Sequence, residues 1–244
     1  MALEGGGLRS VRAGRELWVR VEEPDGAAGG TTVFLVHGSG GRGDQWRFVV
    51  PALLQAGHRV VAFDALGHGQ SPVARDWQAY RGEAWADDLT ALVDRHAGSR
   101  NLVVGHSYGC LVALSALLAH AGPATTRPPL FDEALLLAPP PLSAQARPPW
   151  WVTALPVPLL ELLRPALSAG FRSKAWGPDA SAALIAEETA ISDRNSLYVF
   201  KALWRQRLDI APASLASLTL PVRLIAGEAD QLTPPVLAER IAAL

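Results

Sequence analysis

The chain of 244 residues has one cysteine, one methionine and only two lysines, Lys174 and Lys201. It also has no apolar run near the roughly 18 residues that a membrane-spanning helix needs. The lone Cys110 excludes an internal disulfide and fits a reducing compartment, where its expected role is that of a small core residue. The opening "MALEGGGLRSVRAGRELWV" has no apolar segment of the secretory type, so a soluble, cytoplasmic protein is expected. The 22 basic residues are scattered among 23 acidic ones for a formal net charge of −1, and nothing forms the basic stripe that nucleic acid requires. No two histidines stand at a convincing metal-ligand spacing, so neither a metal nor any other cofactor is expected. A last scarcity matters most: the final histidine is His120, and none follows in the second half of the chain.

What is present is apolar and regular. Hydrophobic residues make up 49% of the chain and the mean hydropathy is +0.15, enough for one sizeable core. "TTVFLV" (Thr31 to Val36), "RVVAF" (Arg59 to Phe63), "NLVVGH", "EALLLA" (Glu133 to Ala138) and "PVRLIAG" (Pro221 to Gly227) are short apolar runs of the kind buried on both faces of a parallel sheet. Leu17 to Val21 is read as an earlier strand after a loose start. Between these runs lie helical stretches: "QWRFVVPALLQAG" ending at Gly57, a segment spaced by Trp85, Leu89, Leu92 and Val93, and "YGCLVALSALLAH". A last helix opens at "TPPVLAERIAAL", where Thr233 is placed to cap and Pro234 to take the first position. The alternation predicts an α/β fold built on a doubly wound, mostly parallel sheet. It is interrupted from Pro139 to about Ala216 by a proline-rich apolar stretch, read as an inserted helical cap at 139–216 with the core at 1–138 and 217–244. Leu197, Phe200 and Trp204 mark one face of a helix within it.

Three stretches carry chemistry. In "VVGHSYG" a strand runs into a helix through Gly105-His106-Ser107-Tyr108-Gly109, a G-x-S-x-G elbow. The turn lifts the Ser107 hydroxyl clear of the sheet and leaves the Tyr108 N–H at a helix start, ready to stabilise an oxyanion. In "HGSGGRGDQW" the glycines Gly38, Gly40 and Gly43 match G-x-G-x-x-G, and Asp64 follows about twenty residues on, as in a dinucleotide site. Bulky Gln45, Trp46 and Arg47 after Gly43 count against an NAD-type oxidoreductase. A hydrolase uses the same loop as its second oxyanion donor, through N–H groups near Ser39. In "GEADQL", Asp230 stands just past a strand, where the acid of a triad ordered serine then aspartate belongs, ahead of its neighbour Glu228. The alternative is that Asp230 caps the next helix.

At "VHGSGG", "FDALGHGQS", "GHSYG" and "GEADQLTP", in that order, the chain resembles the α/β-hydrolase superfamily, and within it the capped abhydrolase-domain proteins, from about Thr31 to Leu244. The resemblance implies Ser107 as nucleophile, Asp230 as acid, and Ser39 and Tyr108 as oxyanion donors. A serine at the elbow, where epoxide hydrolases and haloalkane dehalogenases carry aspartate, implies ester, thioester or acyl-lipid hydrolysis. It also implies one more strand, a loop with the catalytic histidine and a closing helix after Leu244. The chain is therefore expected to be a truncated, impaired form, its apolar strand Val222 to Ala226 an open edge for a second copy to cover. A binding protein without catalysis is the alternative. His37 and His68 belong to turn motifs, His106 is expected to point away from Ser107, and His58, His96 and His120 fall at helix ends or connections. Trp150, Trp151, Leu155, Leu159, Leu160 and Leu163 in the cap point either to an apolar ester or acyl substrate or to burial of the cap itself.

Overall fold

The computed structural model describes residues 5–26, 29–121, 128–143 and 154–244; the tryptophans Trp150 and Trp151 lie outside them. Its strands are β1 (Gly7–Arg12), β2 (Arg15–Glu22), β3 (Thr31–Val36), β4 (Arg59–Asp64), β5 (Arg100–His106), β6 (Glu133–Leu137) and β7 (Val222–Ile225). They form one seven-stranded sheet in the order β1-β2-β4-β3-β5-β6-β7. The pairs β1/β2 and β2/β4 are antiparallel, and all pairs from β4 through β3, β5 and β6 to β7 are parallel. The mostly parallel sheet read from the sequence is the one observed.

Alternation along the central strands explains the two layers. Phe34, Val36, Val61, Phe63 and Val103 face one core, which also holds Trp85, Leu89 and Leu92 of α2 (Gly82–His96) and most of α3 (Tyr108–Ala119). Val33, Leu35, Val60, Ala62 and Val104 face the other, covered by Trp46 and by Val50 of α1 (Val50–Gln55). Each such side chain, once buried, contributes about 1.5–3 kcal/mol. Helix α3 is apolar on nearly every side because it is wedged between the sheet and α2. Cys110 within it is fully buried, as expected, with its thiol donating to the Gly105 carbonyl at 3.2 Å.

Between β6 and β7 the chain forms α4 (Val157–Ala175), α5 (Ala182–Ser192) and α6 (Leu197–Arg205), and α7 (Pro235–Ala242) follows β7. Leu197, Phe200 and Trp204 do share a face of α6, packing with Leu155 and Leu160 in a small cluster of their own.

Three local expectations need correction. The loose start contains β1, which the sequence hides because Val11 is its one buried side chain; a turn at Ala13 and Gly14 folds it onto β2. The helix expected from Gln45 is a 3₁₀ turn, Gly43–Trp46, followed by the six residues of α1, because Pro51 can sit only in a first helical turn. Helix α7 begins at Pro235, with Pro234 rather than Thr233 at its N-cap.

Candidate active site

The loops that follow β3, β5, β6 and β7 leave the carboxyl ends of parallel strands, where open α/β sheets place their ligands. They meet in one cavity of about 500 Å³ whose wall includes Ser39, Ser107, Ala138 and Asp230. Ser107 and Ala138 are the two non-glycine residues with positive φ among the described residues, both at 50°. Ser107 is held there by its own N–H, which donates to the Leu137 carbonyl at 2.9 Å, and Ala138 by an N–H bond to the Ile225 carbonyl at 2.7 Å. Strain of this kind costs on the order of 1–3 kcal/mol and persists where the surroundings over-determine it. The flanking glycines explain how. A Cβ on Gly105 would lie 2.7 Å from the Gly109 carbonyl oxygen, and one on Gly109 2.3 Å from that of Val36, so strand and helix approach as only glycine permits.

Ser39 sits in the turn closed by the Gly41 N–H on the Gly38 carbonyl at 3.0 Å, and its own N–H donates to no acceptor among the described residues. Tyr108 is not among the residues that border the cavity. Its N–H is the first of α3, while its ring is buried edge-on to Trp85 and its phenol is pushed up to about 12, chiefly by burial. Asp230 lines the cavity, and Glu228 does not. The Asp230 carboxylate also accepts from the N–H groups of Leu232 and Thr233, each at 2.8 Å, and from the Thr233 hydroxyl at 2.7 Å. Asp230 thus organises the turn before α7 rather than capping it, since the helix has no side-chain cap, and Thr233, expected from sequence to cap, is a donor to Asp230.

Among the described residues His106 is the histidine in the cavity wall. Nothing in the sequence singled it out except its place beside Ser107. Its Nδ1 is buried without a partner, its ring lies edge-on to Trp46, and burial and nearby His37 push its pKa down while Asp230 pushes it up. His37 and His68 are committed elsewhere. The His37 Nε2 accepts from the Ala65 N–H at 2.9 Å, so its Nδ1–H donates to the Gly38 carbonyl at 2.7 Å; the His68 Nδ1 lies 3.2 Å from the Leu66 carbonyl.

The dinucleotide reading fails on geometry. Asp64 is buried and accepts from the N–H groups of Gly43 at 2.6 Å and Gln70 at 2.7 Å, which leaves it no reach to a ribose, and no α-helix starts at Gly43. The leucines singled out by sequence do not line the cavity either: Leu160 is buried in the cluster with Leu197, while Leu159 and Leu163 are exposed. The inserted helices present Phe171, Trp176, Leu184 and Ile191 to it instead. They are tied to the loop after β3 by Asn195, whose side-chain amide donates to the Gly40 carbonyl at 2.6 Å, and by an Arg47–Glu188 ion pair at 2.6 Å.

Comparison with known proteins agrees with this architecture. An esterase from Exiguobacterium antarcticum superposes with a TM-score of 0.80 at 20% identity, covering 97% of this chain and 86% of that one. Protein ABHD8 of Bos taurus is 28% identical over 232 residues, 91% of this chain and 50% of that protein. Epoxide hydrolase B of Mycobacterium tuberculosis is 37% identical over 91 residues, 37% of this chain and 26% of the relative. The chain spans about half the length of the curated relatives it matches first. The model of the alpha/beta hydrolase family matches residues 33–244, and the chain belongs to that family.

Proposed function

We propose that this hydrolase is a serine enzyme that cleaves an ester, thioester or acyl-lipid bond through an acyl-enzyme on Ser107. The observation that carries the reading is the strained Ser107 at φ 50° in the wall of the cavity shared with Asp230. Among the activities named for its relatives, the nucleophile favours acyl transfer over epoxide opening. A serine oxygen that opened an epoxide would be left in an alkyl ether, which water does not cleave, whereas an acyl-serine ester is hydrolysed.

In the proposed cycle the Ser107 oxygen bonds to the acyl carbon, and the N–H groups of Ser39 and Tyr108 stabilise the oxyanion. The serine proton passes to a histidine base oriented by Asp230 and on to the departing alcohol or thiol; water then releases the acid by the reverse proton path. No histidine follows Asp230 within residues 1–244, so the reading leaves the base unassigned. The inserted helices, 139–216, act as a cap over the 1–138 and 217–244 core, and their apolar side chains hold an acyl or alkyl portion. No cofactor takes part.

A second reading, a non-catalytic binder with the same cavity, is favoured by the engagement of both Asp230 oxygens within its own turn. Turnover of short-chain 4-nitrophenyl esters by the protein made from its own gene separates the two. Hydrolysis that falls by about 10⁶ in kcat in Ser107→Ala supports the enzyme. No hydrolysis above the Ser107→Ala background leaves the binder.

A further inference from the structure

Several buried polar atoms of residues lining the cavity have no hydrogen-bond partner, and all of them except His106 Nδ1, which accepts or donates according to its tautomer, can donate. Trp46, almost wholly buried, has its indole N–H unpartnered. Arg47 is 8% exposed; its Nη1 meets Glu188 at 2.6 Å and the Asp44 carbonyl at 3.2 Å, its Nη2 faces Glu187 at 3.5 Å, and its Nε finds no hydrogen-bond acceptor. The Thr189 hydroxyl is buried and unpartnered as well. Indole and guanidinium groups only donate, and a hydroxyl can do so, which makes this wall complementary to an acceptor-rich group. Leaving such donors buried and unpaired is costly, and the cost is recovered only when something accepts from them.

The charges point the same way. Arg42 is paired with Asp44 at 2.9 Å, Arg47 with both Glu187 and Glu188, and Asp230 is held within its own turn. Arg172, half-buried on α4 and lining the same cavity, makes no ion pair or hydrogen bond among the described residues. One unpaired cation therefore shares with unfilled donors a cavity whose remaining walls, such as Phe171, Trp176 and Leu184, are apolar.

We propose that the cavity takes an ester whose non-reacting end is a carboxylate, a half-ester of a dicarboxylic acid, with that carboxylate received by Arg172 and the unpartnered donors of Trp46 and Thr189. The methylene chain between ester and carboxylate lies against the aromatic and aliphatic walls. This deepens the serine-hydrolase reading and rests on it for the orientation of the ester toward Ser107.

The test is equilibrium binding followed by tryptophan fluorescence, since Trp46 and Trp176 both line the cavity. Monomethyl adipate and its neutral counterpart methyl hexanoate are titrated into the Ser107→Ala protein, in which neither ester is turned over, and into the same protein carrying Arg172→Gln or Arg172→Lys. The expected result is at least tenfold tighter binding of the half-ester, a difference erased in Arg172→Gln, partly kept in Arg172→Lys, and without effect on methyl hexanoate in either. Arg172 carries no structural contact, so both variants fold. Equal binding of the two ligands with Arg172 intact, or a preference that survives Arg172→Gln, overturns the proposal. Labelling of Ser107 by a fluorophosphonate is read separately. A labelled protein that ignores the carboxylate refutes this inference alone, and an unlabelled protein that prefers the half-ester refutes the catalytic reading while keeping the subsite.

Discussion

At the scale of single residues, the site depends on groups whose chemistry and sterics leave few substitutes. Gly109→Ala sets a methyl 2.3 Å from the Val36 carbonyl oxygen, a backbone atom that cannot step aside. Overpacking of this kind costs about 1–3 kcal/mol, and a thermal melt of Gly109→Ala should fall by several degrees; an unchanged melt would contradict the close approach of β3 and α3. Asp230 has two candidate jobs that one substitution separates. Asp230→Asn keeps an oxygen to accept from Leu232 and Thr233 but removes the charge, so ester turnover should drop by about 10⁴ while the melting temperature holds. A lower melt with untouched turnover would make Asp230 a residue that holds its own turn and nothing more. Ser107, Asp230 and Ser39 were legible in the sequence as members of one site because each follows a strand, and parallel strands bring their carboxyl ends together. His106, Trp46 and Arg47 were not, because which side chains border a cavity depends on the turn after Gly43 and on helices arriving from more than a hundred residues away.

At the scale of elements, the hairpin β1–β2 is fastened to α2 by one carboxylate. Asp88 accepts from Arg12 Nε and Arg15 Nε, each at 2.7 Å, with its side chain 2% exposed. Removing one partner from such a buried group leaves uncompensated charge, so Asp88→Ala should lose about 3–5 kcal/mol in urea denaturation. A loss below about 1 kcal/mol, the value of a surface pair, would show that the hairpin is held by its pairing to β4, its core packing and its bonds to backbone carbonyls rather than by Asp88. The elements themselves were mostly readable. The apolar runs of β3 to β6 and the spacing of α2 and α3 stand out because burial demands them; β7, also expected to be buried on both faces, is an edge strand, with none of its four residues buried and Ile225 56% exposed. Strand β1 was invisible because it buries little, and the length of α1 was misjudged because apolar Phe48 and Val49 continue the pattern ahead of Pro51 without joining the helix. The sequence leaves the leucines of the proline-rich stretch open between a substrate-binding and a packing role, and the structure has Leu160 packed with Leu197 and Leu159 and Leu163 facing outward.

For the whole molecule, acid is the expected weakness. His37 and His68 are buried side by side, ring centroids 5.2 Å apart, with the Trp85 ring against both. Burial pushes the His68 pKa from the ordinary 6.5 to about 3, with the neighbouring His37 adding to it, and burial lowers His37 too, against the opposing pull of Asp64. Both pKa values are lower in the folded state, so the unfolded chain binds more protons below 6.5. Their stabilisation is complete above that value and is lost as pH falls toward about 3. Denaturation midpoints should decline from pH 6.5 to pH 4, and His68→Asn, which retains a donor for the Leu66 carbonyl, should flatten the decline. A midpoint that stays level across this range would mean that water reaches the pair.

Everything said of catalysis hangs on Ser107 being an activated nucleophile. The most direct measurement is the mass of the protein, made from its own gene in its own cell, after exposure to a fluorophosphonate, with the adduct mapped by peptide sequencing. One adduct per chain on the peptide carrying Ser107, absent from Ser107→Ala, is the predicted result. No adduct, or an adduct that persists in Ser107→Ala, would contradict the account and leave the cavity as a binding site.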